Sequence, residues 1–212
     1  CSSLTNVYYK GTIEDWCNIE FNNYYSNPMY NAKHFYMLDD NNNWYEPTEV
    51  VLKEGITKIG DCQFENITSL VNIVIPNSVT SIGYDAFEGC SSVTSIEIPN
   101  SVTSIGYSAF KNCSSLTSIT LPFVGNGSGN TYFGYIFGAS RYDYQSMYVP
   151  ASLKEVKITN TKSIGNSAFY DCSSLTSIEL PSSVTNIGNS AFSGCSSLTN
   201  VYYKGTIEDW CN

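Results

Sequence analysis

Eight cysteines and one histidine are the residues of this 212-residue chain whose chemistry could serve nucleophilic or metal-binding work. Cys1, Cys90, Cys113, Cys172 and Cys195 share one recurring position, 23 residues apart wherever copies are adjacent. Zinc needs ligands that converge, usually from close pairs such as Cys-x-x-Cys. The chain has no such pair and His34 stands alone, so no metal is expected. Ile67 fills the same position in another copy, and a position that accepts an aliphatic side chain suits a buried free thiol acting as a small hydrophobe. Disulfides between copies are disfavoured, because stacked equivalent side chains point the same way and seldom meet the required torsion. Cys17 and Cys211 follow Trp16 and Trp210, and Cys62 is isolated.

Other chemical readings fall to local context. Asp39, Asp40, Asn41, Asn42 and Asn43 resemble the start of a calcium loop, but Trp44 and Val50 stand where such a loop needs Gly and Glu. Between Phe35–Leu38 and Trp44–Tyr45 that composition predicts a hairpin turn. The run Gly125, Asn126, Gly127, Ser128, Gly129, Asn130 leads into Thr131 with no Lys and no helix signal, so it reads as a turn and not a nucleotide cradle. The pairs Glu14 with Asp15 and Glu208 with Asp209 follow Thr-Ile at a helix start, where carboxylates suit the dipole. No Gly-x-Ser-x-Gly motif occurs, and no Cys has an evident His partner. A non-enzymatic chain with no cofactor is expected. A net charge of −9 with only ten Lys plus Arg argues against nucleic acid and anionic membrane as partners. No apolar run approaches the roughly 18 residues of a membrane span, so no membrane insertion is expected.

These residues are positioned by a repeat. The segment Ile-Gly-x-x-Ala-Phe-x-x-Cys-Ser-Ser begins at Ile82, Ile105, Ile164 and Ile187. Periods of this size mark stacked architectures. Lead positions at Leu4, Pro47, Leu70, Val93, Leu116, Leu153, Leu175 and Leu198 leave extra residues near 13–46 and 123–150, two insertions. Within a coil, Leu-x-x-Ile-x-Ile-Pro has the alternation of a strand with one buried face, and Pro stops the ladder because it has no N–H. The Ile-Gly pair predicts a second short extended segment, with Gly60, Gly83, Gly106, Gly165 and Gly188 at a positive φ or a close backbone approach. Ala-Phe-x-x-Cys suits a one-turn helix, with Phe64, Phe87, Phe110, Phe169 and Phe192 stacked as an internal spine.

The phrases IGYDAFEGCSSVTSIEIPNSVTSIG and IGNSAFYDCSSLTSIELPSSVTNIG resemble the BspA-like class of leucine-rich repeats, found in large bacterial surface proteins and in some mucosal protists. The resemblance implies an α/β repeat, a leucine-rich-repeat solenoid whose strands line a concave face. It also implies an extracellular, cell-surface location, adhesion to host, matrix or partner-cell proteins, and no catalytic residues. The coil at Leu153 departs from the pattern, lacking the Pro and being one residue short.

A single domain over 1–212 is expected. The word CSSLTNVYYKGTIEDWCN fills both 1–18 and 195–212, which suggests termini cut within repeats of a longer tandem array. End-to-end self-association through uncapped coils follows from that reading. A protein ligand would meet the concave face through Tyr8, Glu97, Thr120, Lys157, Glu179 and Tyr202, or the aromatic insertion through Tyr132, Tyr135, Tyr142 and Tyr144, since Tyr is enriched in binding hot spots. Large aromatics in an insertion also serve to cover it. A structural stalk and a carbohydrate-binding module are the alternatives, the second requiring exposed insertion aromatics.

Overall fold

The computed structural model describes residues 2–127 and 132–208. Cys1, Ser128, Gly129, Asn130, Thr131, Asp209, Trp210, Cys211 and Asn212 lie outside the described residues. In chain order, strand β1 (Asn6–Tyr9) precedes a short helix α1 (Ile13–Cys17), then β2 (His34–Leu38) and β3 (Trp44–Tyr45). Strands β4 (Glu49–Val51), β5 (Lys58–Ile59), β6 (Asn72–Val74), β7 (Ser81–Ile82), β8 (Ser95–Glu97), β9 (Ser104–Ile105) and β10 (Ser118–Leu121) follow. After 3₁₀ turns at Phe133–Phe137 and Tyr142–Tyr144 and helix α2 (Gln145–Tyr148), the chain ends in β11 (Glu155–Ile158), β12 (Ser163–Ile164), β13 (Ser177–Leu180), β14 (Asn186–Ile187) and β15 (Asn200–Tyr203).

The coils stack into a solenoid with two parallel ladders. The concave ladder joins β4 to β6, and β8 through β10, β11 and β13 to β15. In β4, β6, β8, β10, β11 and β13 the central Ile or Val is buried between less buried neighbours, as the alternation requires, while Val201 of the last strand β15 is exposed. A second ladder of two-residue strands runs β5–β7–β9 and resumes as β12–β14. At the Leu153 coil, which lacks Pro, the Thr159 N–H donates to the Leu121 carbonyl at 2.9 Å, a bond Pro could not make.

The aromatic spine forms as the repeat predicts. Phe64 and Phe87 stack at 5.3 Å, Phe87 and Phe110 at 5.5 Å, and Phe169 and Phe192 at 5.5 Å, each pair within 7° of parallel. The segment around each Phe differs from expectation, because it is a run of turns and not a one-turn helix. Two residues per coil adopt left-handed backbone there, first Cys62, Asp85, Ser108, Ser167 and Ser190, then Asn66, Gly89, Asn112, Asp171 and Gly194. A helix cannot pass through such residues. The recurring glycines, in contrast, do not take positive φ. A Cβ on Gly83 or Gly106 would instead press into the backbone of the preceding coil, at Gly60–Asp61 and Gly83–Tyr84 respectively. Close approach is the arm of the expectation that holds.

The two insertions differ in how they join the stack. Residues 13–46 supply a ladder strand of their own: β2 pairs in parallel with β1, Val7 opposite Phe35 and Tyr8 opposite Tyr36. The hairpin expected after it forms, with β3 antiparallel to β2 and Asp39 Oδ1 accepting from the N–H groups of Asn41 and Asn43 at 2.9 and 2.8 Å. Those bonds hold the Asp39 carboxyl below its usual range. At the start of α1, Thr12 and Asp15 form a reciprocal capping box, while Glu14, the other member of the acidic pair, bridges to Lys53 at 3.0 Å. Residues 123–150 leave the concave ladder untouched, since β10 pairs directly with β11. They add a layer only on the far side, where Phe110 N–H donates to Ile136 and Phe133 N–H to Ala168. Phe137 lies 6.4 Å from Phe110, and Phe133 lies 5.1 Å from Phe169, so these two rings carry the spine across the gap.

Candidate binding surfaces

The concave ladder turns sequence alternation into rows. Glu97, Thr120, Lys157, Glu179 and Tyr202 fall in register on β8, β10, β11, β13 and β15, so five of the predicted contact residues form one line across the sheet. Glu179 receives Lys157 at 3.5 Å and Lys204 at 3.2 Å, a bridge between two cations at the C-terminal end of the row. Exposed pairs of this kind contribute about 0 to 1 kcal/mol and act more on partner selection than on stability. Toward the other end, Asn72, Val74, Glu97, Ser118 and Thr120 line a shallow hollow of about 430 Å³.

Tyr8 stands apart from that row, at the N-terminal end of the solenoid. Its ring stacks on Tyr36 at 4.8 Å and 12°, and meets the edge of Trp44 at 5.0 Å. Tyr8 remains 54% exposed, and Trp44 and Tyr45 are exposed too. Tyr36 and Trp44 join Tyr8 in a cluster that the alternation of β1 alone could not reveal. The signal for Tyr36 was the alternation of β2, in which Phe35 and Met37 are buried while His34 is exposed and Tyr36 half-buried.

The four insertion tyrosines do not join this face. Tyr132 and Tyr135 are half-buried in the turn layer opposite the ladder, 6.1 Å apart. Tyr135 also meets the edge of Tyr107 at 5.3 Å. Burial pushes the Tyr135 hydroxyl above its ordinary range, so it stays protonated and able to donate. Tyr142 packs edge-on against Tyr170 at 5.6 Å, and the Arg141 guanidinium lies over Tyr144 at 5.6 Å; both tyrosines are exposed.

The cysteines serve the stack. Cys17, Cys62, Cys90, Cys113 and Cys172 are buried free thiols, and Cys195 is a half-buried one. The Cys90, Cys113 and Cys195 thiols donate to the Phe carbonyl of the preceding coil at 3.0, 3.3 and 3.0 Å. Burial pushes the Cys62 and Cys113 thiols up to about 12, far from the range of a nucleophilic cysteine. Among the described residues, no three His, Cys, Asp or Glu side chains are grouped to hold an ion.

Comparison with known proteins bears on the same architecture. The family model described as the BspA type Leucine rich repeat region matches in six copies, over residues 42–146 and 141–211. No curated protein sequence matches significantly. Among solved structures, a leucine-rich-repeat protein of Eubacterium ventriosum is similar with a TM-score of 0.53 and 22% identity, over 80% of this chain and 54% of that one. A leucine rich cell surface protein of Faecalibacterium prausnitzii is 25% identical, with a TM-score of 0.34, over 77% of this chain and 61% of that one. The T. pallidum leucine rich repeat protein is 21% identical, with a TM-score of 0.38, over 81% of each chain. The chain thus spans between about half and three fifths of the length of the first two.

Proposed function

The chain belongs to the BspA-type leucine-rich-repeat family, and from that premise we propose that it is a non-enzymatic, cell-surface module that adheres to host, matrix or partner-cell proteins through its concave face. One observation carries the reading: Tyr8, Tyr36 and Trp44 form a packed aromatic cluster on the outward side of the β1–β2–β3 sheet at the N-terminal end of the solenoid, with Tyr8 and Trp44 exposed. The core does not require them there, because the buried sides of β1 and β2 are already filled by residues such as Phe35 and Met37. Pre-stacked tyrosine and tryptophan supply large contact area with little ordering entropy left to lose. The Glu97-to-Tyr202 row would then supply a polar rim.

The proposed unit is one solenoid domain over 1–212. Among the described residues, no helix is long and apolar enough to cross a membrane. A spacer role is the second reading, favoured by the near-identical coils and by a spine kept continuous even through the second insertion. Capture of extracellular proteins by the chain, compared with the Tyr8→Ala/Trp44→Ala variant, separates the two. Adhesion through this face predicts a retained partner whose affinity drops at least about tenfold in the variant, a loss of roughly 1.4 kcal/mol or more. Equal retention by both proteins removes the aromatic cluster from the mechanism, and no retained partner leaves the spacer.

A further inference from the structure

The two insertions are separated in the sequence by residues 47–122, yet they bound one groove over the second ladder. Its floor is the β5–β7–β9 ladder with Gly60, Gly83 and Gly106, where missing side chains leave the coils flush. Phe21 and Asn22 of the first insertion close one end, and Asn126 and Tyr135 of the second close the other. The open groove has a volume of about 500 Å³, within the roughly 300–1,000 Å³ of small-ligand sites. Three rungs at strand spacing make the floor about 10 Å long between centres. From this arrangement we infer that the groove is a binding site for a short neutral oligosaccharide.

The chemistry of the walls selects that class. Tyr84 rises from the floor with 55% of its surface exposed, a flat face on which a sugar ring can lie. Its hydroxyl and that of Tyr135 lie near one another, and Asn126 lies near Tyr135 as well. Ser81 and Ser104 add hydroxyls along the floor, and Asn22 adds an amide at the rim. Beneath the floor, Gln63 is fully buried and its Oε1 lies against Gly60 without a hydrogen-bond partner among the described residues. Charge is nearly balanced. Lys58 is paired with Glu20 at 2.5 Å, and one Asp61 oxygen already accepts from the Tyr84 N–H at 2.8 Å. A site so neutralised, on a chain of net charge −9, gives no purchase to sulfated or sialylated polymers. The aromatic cluster plays no part in this site, so the two readings stand or fall separately.

Calorimetry of the intact chain with maltotriose, mannotriose, galactotriose and chitotriose tests the inference. At least one should bind saturably, about tenfold more weakly in Tyr84→Ala, and with nearly full affinity in Tyr84→Phe, which keeps the ring. Met147→Ala, exposed and remote from the groove, should bind as the parent does. Tyr84 is not a core residue, so loss of binding in Tyr84→Ala with an unchanged melting temperature reports on the site and not on folding. Absence of saturable binding across the four probes overturns the inference. So does equal affinity in Tyr84→Ala, and so does capture of a peptide by the groove, blocked by Tyr84→Ala, in a chain that takes up no sugar.

Discussion

Gly106 sits where one coil touches the next, and a methyl group there would press on the Gly83 and Tyr84 backbone, which has no free end to swing aside. At Gly60 the nearest neighbour of an added Cβ is the tip of the Gln63 side chain, which can move. The same substitution should therefore have unequal effects along the stack. Gly106→Ala is expected to destabilise by about 1 to 3 kcal/mol, as overpacking does, and Gly60→Ala by less than about 1 kcal/mol, read from urea midpoints. The recurrence of Gly after Ile made the close approach legible in the sequence. The left-handed residue two places later was not, because Cys62, Asp85, Ser108, Ser167 and Ser190 stand there and none is the Gly or Asn that usually marks that backbone. Its cause is the turn that brings each Phe inward, a tertiary demand that no single residue announces.

At the scale of the element, each insertion divides into a part that repairs the stack and a part that decorates it. Phe133 and Phe137 are fully buried and hand the spine from Phe110 to Phe169, while Tyr142, Tyr144 and Met147 stand exposed beside them. Phe133→Ala should accordingly cost about 3 to 5 kcal/mol. Tyr144→Ala should stay within about 0.5 kcal/mol of the parent. Denaturant melts of the two variants check the division, and equal losses would show that the exposed tyrosines are structural after all. Composition alone could not make this distinction, since Phe and Tyr in an aromatic-rich insertion serve equally to cover or to bind. Alternation within the regular strands was the stronger signal: it placed Glu97, Thr120, Lys157, Glu179 and Tyr202 in one row. It missed the grouping of Tyr8 with Tyr36 and Trp44, which depends on β2 docking beside β1. It missed the Tyr84 groove as well, which depends on two distant insertions meeting the same flank.

For the molecule as a whole, stability is shared between neighbouring coils, so each coil is held by those on either side. At the β15 end, Val201, Tyr202 and Ile207 are exposed, whereas Val7 of the identical N-terminal word is partly covered by its neighbours. Sedimentation velocity should show association that grows with concentration and that Val201→Lys suppresses; a monomer at every concentration would remove this surface as a contact. The second insertion sets the larger geometry. The concave ladder passes it in one step, from β10 to β11, while on the far side the spine needs extra rings to pass from Phe110 to Phe169. A layer added to the outer rim and withheld from the inner one works as a keystone does in an arch. The coils before and after it stay paired strand to strand on the inner side and are held apart by that extra layer on the outer one, where the second ladder stops at β9 and resumes only at β12.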